Sequence, residues 1–227
     1  MLSFPTALAF GLGLVCALID WVAVIRQDRR LETVFKPATL VAFIVGAWLL
    51  ASQSGGGRVA RWFVPALGFS LLGDIFLMLP GERWFPLGLG AFLVAHICYV
   101  VGLTPSFPPV ASLLLLVVIA AADLLVLPTV VRGVADHGAP QLRAPVVVYG
   151  IVLSLALFTG WATWFRPAWS VGARVLVSAG TALFFSSDLM LAWNKFVRES
   201  RALNILVIVT YHLAQLALAI TVGLHAS

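Results

Sequence analysis

Charge is what this sequence has least of. Asp, Glu, Lys and Arg make up 10% of its 227 residues, where a soluble domain carries roughly 25%. With 62% of the residues hydrophobic, the polar groups are too few to cover a water-facing globule, so lipid is the expected solvent. Cysteine is almost missing: Cys16 and Cys98 both lie in apolar runs, which excludes a disulfide framework. No polar stretch is long enough to form a soluble domain. The net charge of +5 is small and sits at the ends of apolar runs, the usual pattern of a membrane protein, so nucleic acid is not an expected partner.

A membrane-spanning helix takes about 20 apolar residues. Eight runs qualify, near 4–25, 37–53, 62–80, 85–104, 110–132, 144–165, 171–193 and 203–224. The fold class is therefore all-α, a polytopic bundle of about eight transmembrane helices forming a single transmembrane domain over 1–227. The first run has no basic segment ahead of it and is expected to be retained as a span rather than cleaved. Lys36-Pro37 is expected to open span two. Loops one, three, five and seven hold ten of the Lys and Arg residues, Arg26, Arg29, Arg30, Lys36, Arg83, Arg132, Arg143, Lys195, Arg198 and Arg201. The other side holds Arg58, Arg61, Arg166 and Arg174. The positive-inside bias then places both termini outside the cytoplasm, in a bacterial inner (cell) membrane. A pseudo-repeat of 1–109 and 110–227, with an axis along the membrane normal, is suggested by parallels four spans apart.

The parallels involve polar residues deep in apolar sequence. Asp74 follows Ser70-Leu71-Leu72-Gly73, and Asp188 opens Asp188-Leu189-Met190-Leu191. The following span carries His96 with Tyr99 in one half and Tyr211 with His212 in the other. At a rise of 1.5 Å per residue the aspartates lie roughly 7–9 Å, and the histidines roughly 14–16 Å, from the same membrane face. Tyr211 and Gln215 share a helix face with Asn204, while Asp188 and Lys195 belong to a seven-residue polar stripe. Ionisable groups at this depth are costly, so a shared, water-containing pocket is the functional expectation. The alternative is that each aspartate simply ties helices together, and Asp20 and Asp123 are read that way. Two Asp and two His are enough in number for a metal, but no His-x-x-x-His or close Cys spacing supports one; no metal and no cofactor is expected. Trp62, Trp84, Trp161, Trp164, Trp169 and Trp193 read as interface anchors, and the glycines at 11, 13, 68, 73, 88 and 90 as sites of close helix packing. On these residues alone an enzyme and a small proton-coupled transporter stand level, with a non-enzymatic lipid-binding protein as a third possibility.

Gly73-Asp74, Ala95-His96 with Tyr99, Ser187-Asp188-Leu189-Met190-Leu191-Ala192 with Lys195-Phe196, and Lys36-Pro37 together resemble the YhhN-type lysoplasmalogenases. The motifs are short; their order and spacing over nearly the whole chain carry the resemblance. It implies hydrolysis of the vinyl ether bond of a lysoplasmalogen, giving a fatty aldehyde and glycerophospho-ethanolamine or glycerophospho-choline. The partners implied are a lysophospholipid drawn from the bilayer and the membrane lipids themselves.

Such a cleavage delivers a proton to carbon and adds water to the resulting oxocarbenium ion. It therefore calls for one protonated acid and one ionised carboxylate, a division that burial and mutual proximity can enforce. Asp74 and Asp188 are the expected pair, with Asp188 ionised because Lys195 lies two turns away. His96 and His212 are expected to orient water or shuttle its proton. Tyr99, Tyr211 and Gln215 are expected to hold the acid or the glycerol, and Lys36, Lys195 and Arg198 the phosphate.

Overall fold

The computed structural model describes residues 2–224, and among them the regular structure is helical throughout. Eight long helices follow the apolar runs: α1 (Phe4–Arg26), α2 (Arg29–Gln53), α3 (Arg58–Met78), α4 (Phe85–Leu103), α5 (Leu113–Asp136), α6 (Arg143–Ala162), α7 (Val171–Phe196) and α8 (Arg201–Leu224). All eight are long and apolar enough to span a bilayer, and the chain is an integral membrane protein.

Local chemistry sets the helix ends. Gln27 takes the left-handed conformation after α1, and Asp28 then caps α2 by accepting from the backbone N–H groups of Arg30 and Leu31. This cap corrects one boundary. Span two does not open at Lys36-Pro37; α2 starts at Arg29 and carries Pro37 within it. Lys36 thus stands seven residues inside the helix, roughly 10 Å from its end. Ser170 caps α7 through the N–H of Ala173, and α7 runs past the expected 193 to Phe196. Pro65 and Pro128 likewise lie inside α3 and α5 without ending them.

The helices pack as consecutive antiparallel hairpins. α8 is central, touching α1, α2, α3 and α7; α4 bridges α3 and α6. α5 is outermost, resting on α6 and α7, with Leu114, Leu124 and Leu125 at least 70% exposed toward lipid. The packing pairs match under a shift of four helices: α2·α3 with α6·α7, α3·α4 with α7·α8, and α2·α8 with α6·α4.

Lipid tails solvate apolar side chains as well as a neighbouring helix does, so close packing holds such a bundle together. Gly13, Gly73 and Gly88 abut Phe43, Phe92 and Leu77, and a Cβ at any of them would collide with those side chains. Gly11, Gly68 and Gly90, expected to act alike, face nothing within 4 Å; being small does not put a residue at an interface. Trp169, expected at a membrane surface, is buried in the core. The tightest approach is at Gly133 of α5, where a Cβ would overlap the backbone carbonyl of Phe196. Gly133→Ala is expected to destabilise the protein by about 1–3 kcal/mol, while Gly68→Ala is neutral or slightly stabilising. Thermal unfolding of the two variants in detergent measures the difference.

Candidate active site

α3 and α7 present Asp74 and Asp188 to the interior near the face that carries ten of the fourteen Lys and Arg residues. Asp74 is 1% exposed and anchored on both oxygens. Lys36 Nζ of α2 lies 3.1 Å from Oδ1, and the Tyr211 hydroxyl of α8 donates to Oδ2 at 2.7 Å. The Lys36 ammonium also sits 5.8 Å from the centre of the Tyr211 ring.

Asp188 has different company. The Tyr149 hydroxyl of α6 donates to its Oδ2, and His96 Nε2 of α4 stands 3.7 Å from the same oxygen. His96 Nδ1 donates to the Phe92 carbonyl at 2.8 Å. That bond fixes the tautomer of the neutral ring, leaving Nε2 as a bare acceptor facing the aspartate. The two sites correspond under the four-helix shift: α3, α8 and α2 supply Asp74, Tyr211 and Lys36, while α7, α4 and α6 supply Asp188, His96 and Tyr149.

Two cavities meet here. The first, about 390 Å³, is polar and runs from Gln27, Arg29 and Arg201 at the basic face inward past Lys36 to Asp74 and Asp188. The second, about 170 Å³, is apolar and lies between α4, α5, α6 and α7. Asp188, Leu77, Phe92 and Leu191 line both. Asp123 lines the apolar cavity only. An amphiphile can therefore reach Asp188 with its polar end toward the basic face and its apolar end among the outer helices.

The remaining expected residues fall elsewhere. His212 accepts from Trp21 Nε1 at 3.1 Å through Nδ1, and its Nε2 is 4.0 Å from Asp20 Oδ2. It lines neither cavity, because a residue adjacent to Tyr211 on a helix points about 100° away from it. Tyr99 donates to Gln215 Oε1 at 3.0 Å in the buried core, one turn deeper than His96 and Tyr211. Lys195 does not approach Asp188. It lies at the membrane surface, 3.0 Å from Glu82 and 4.6 Å from the Phe85 ring centre, and the cation at the site is Lys36, on Asp74. Arg198 is exposed in the α7–α8 turn and lines neither cavity. Its expected place at the polar mouth is taken by Arg29 and Arg201. Asn194 and Asn204 fix that turn by a 2.6 Å bond, and Arg201 is tied back to the Ile25 carbonyl.

Tyr149, like Arg29 and Arg201, belongs to the candidate site and was missed by sequence reasoning. A signal existed: the chain has three tyrosines, all within spans, and all three donate to buried side-chain oxygens.

Fold and site together define an integral membrane protein with two buried carboxyl groups where a polar cavity from the basic face adjoins an apolar one. The YhhN family matches residues 31–222, and the chain belongs to the YhhN family. It is 33% identical to a lysoplasmalogenase of Mycobacterium tuberculosis (strain CDC 1551 / Oshkosh) over 169 residues, 70% of this chain and 59% of that protein. It is 31% identical to human lysoplasmalogenase TMEM86B over 183 residues, 80% of this chain and 71% of the relative. With the mouse protein of that name it shares 30% identity over 213 residues, 92% and 83% of the two chains. The match thus spans less than two thirds of the mycobacterial relative's length. No solved structure gives a significant match.

Because Lys36 is the cation bonded to the buried Asp74, Lys36→Met is expected to cost about 3–5 kcal/mol of stability by leaving an unpaired buried charge. Adding Asp74→Asn should recover part of that loss. Thermal unfolding of the wild type, both single variants and the double variant tests the coupling; a double variant no more stable than Lys36→Met contradicts it.

Proposed function

We propose that this protein hydrolyses the vinyl ether bond of lysoplasmalogens, releasing a fatty aldehyde and a glycerophospho-base. The observation that carries this reading is Asp188 at the junction of a polar and an apolar cavity, with a second, differently partnered aspartate on the polar side. A lysoplasmalogen places its vinyl ether between a polar glycerophosphate and a single apolar chain, so the scissile bond falls at that junction. The names of the curated relatives point to the same chemistry.

In this scheme the roles expected for the two aspartates are exchanged. Lys36 and Tyr211 both stabilise a negative Asp74, which makes it the ionised member. Asp188, held by a hydroxyl and facing a bare imidazole nitrogen, carries the proton. Asp188 protonates the alkenyl carbon distal to the ether oxygen, generating an oxocarbenium ion whose charge Asp74 opposes. Water entering through the polar cavity attacks the cationic carbon and gives its proton to Asp74, forming a hemiacetal. Collapse breaks the carbon–oxygen bond to glycerol: Asp74 returns its proton to the leaving oxygen, and the hemiacetal hydroxyl proton restores Asp188, with His96 as the adjacent acceptor. Tyr149 positions the acid, and Arg29 and Arg201, with Lys36 further in, face the phosphate. His212 with Asp20, and Tyr99 with Gln215, support the site from behind.

The polar cavity opens on the more basic face, which supports a cytoplasmic opening and termini on the opposite side of the cell membrane. The matching helix pairs, and the matching partners of the two aspartates, support two four-helix halves, 1–109 and 110–227, within one domain.

Asp74→Asn and Asp188→Asn are each expected to lower turnover by at least about 100-fold, and Tyr149→Phe by about 10-fold, in an assay of aldehyde release from a defined lysoplasmalogen by purified protein. Either Asn variant turning over at near wild-type rate overturns the two-carboxyl scheme. Substrate flux into liposomes without aldehyde formation would instead mark a carrier.

A further inference from the structure

The mouth of the polar cavity carries a carboxylate, Glu32, to which the hydrolytic chemistry gives no role. α2 enters the cavity with Arg29, Glu32 and Lys36 along one side, spaced three and four residues apart. The Asp28 cap holds this first turn in place. Glu32 Oε2 lies 3.5 Å from Arg29 Nη1, and its side chain is 21% exposed, against 74% for the arginine. Arg201 stands across the mouth at the start of α8, and Gln27 and Asn204 complete the rim. The mouth thus offers cations for a phosphate and, beside them, the Glu32 carboxylate and the Gln27 amide oxygen as acceptors, while the Asn204 oxygen already accepts from Asn194.

The aromatic residues lining this cavity are Phe92 and Tyr211, 6% and 4% exposed. Both belong to its floor, beside the aspartates. A quaternary ammonium is recognised through aromatic faces, since it has no N–H to donate. A primary ammonium donates three hydrogen bonds and needs acceptors. This rim provides acceptors and, among the described residues that form it, no aromatic face.

We infer that Glu32 is a specificity-determining residue that binds the primary ammonium of an ethanolamine head group, with Arg29 and Arg201 on the adjoining phosphate, so that the protein selects ethanolamine over choline lysoplasmalogens. This rests on the hydrolase reading above. Glu32 does not touch the reacting atoms; its effect falls on substrate binding. Its bond to Arg29 is exchanged for one to the substrate, releasing the arginine for the phosphate.

The experiment measures aldehyde release from lysoplasmalogens of one chain length bearing ethanolamine, N-methyl-, N,N-dimethyl-ethanolamine and choline head groups. One charge-assisted hydrogen bond corresponds to about a tenfold preference. The expected result is a kcat/KM for ethanolamine about tenfold or more above that for choline, declining stepwise with methylation and residing in KM. In Glu32→Gln the ratio falls below about threefold, while Glu32→Asp retains part of it. Glycerophosphoethanolamine should also inhibit the wild type at concentrations where glycerophosphocholine does not, a readout independent of any variant's folding. Equal use of the two head groups, equal inhibition by the two free head groups, or a ratio unchanged in Glu32→Gln overturns the assignment and leaves the hydrolase reading standing. Absence of aldehyde from every substrate overturns both.

Discussion

An ammonium and a carboxylate meeting inside a membrane span is the constraint that organises this structure. Neither Lys36 nor Asp74 would be tolerated alone at that depth, and together they remain costly unless further hydrogen bonds complete the pair. Tyr211 supplies the missing bond, and in doing so locks α2, α3 and α8 around one point. The pair exists only because α2 begins at Asp28–Arg29 and continues through Pro37. A helix opening at Lys36 would leave the ammonium at the membrane surface and the aspartate uncompensated. The start of one helix therefore decides which of two otherwise similar acids has a cation.

That asymmetry falls on a frame in which three helix pairs recur four helices apart. Each aspartate receives one partner from the helix immediately before its own, α2 for α3 and α6 for α7, and one from the closing helix of a hairpin, α8 or α4. The geometric counterparts are Lys36 and Tyr149 on α2 and α6, and Tyr211 and His96 on α8 and α4. Tyr99 and Gln215 occupy corresponding places on α4 and α8 and bond directly to each other, joining the two halves in the core. Where the frame would give two equivalent acids, lysine against tyrosine and tyrosine against histidine make them chemically distinct. One acid faces a full positive charge; the other faces neutral dipoles and an imidazole.

How much of this the sequence discloses depends on whether a feature is periodic or relational. The eight spans follow from composition over some twenty residues and stand where expected to within a few residues, except at α2. Asp74 and Asp188 announce themselves because a carboxyl in an apolar run is conspicuous. His96 and Tyr211 follow because they recur one span later. Partnerships are another matter. Lys195 shares a helical stripe with Asp188, yet seven residues amount to about 10 Å of rise, and Glu82 from a different loop captures it. His212 neighbours Tyr211 in sequence, but one helical step sends it toward Trp21 and Asp20. Tyr149 lies in sequence with no nearby charge, and only the packing of α6 against α4 and α7 gives its hydroxyl a partner. Arg29 and Arg201 read as topology signals because an arginine at a helix end is expected on that ground alone.

The meeting of two cavities at a single carboxyl accounts for features that neither cavity explains by itself. In the proposed reaction the proton goes to carbon, and of the two aspartates only Asp188 adjoins the apolar chamber walled by α5 and α6, while also lining the polar cavity. The water that the proposed reaction consumes has the polar cavity as its route, which Asp74 and its lysine line. In the proposed reading the same arrangement orients the substrate: head group toward the basic face, chain toward α5, the least buried helix and the one most open to lipid. In that reading hydration and orientation follow from one feature, the side of Asp188 on which each cavity lies.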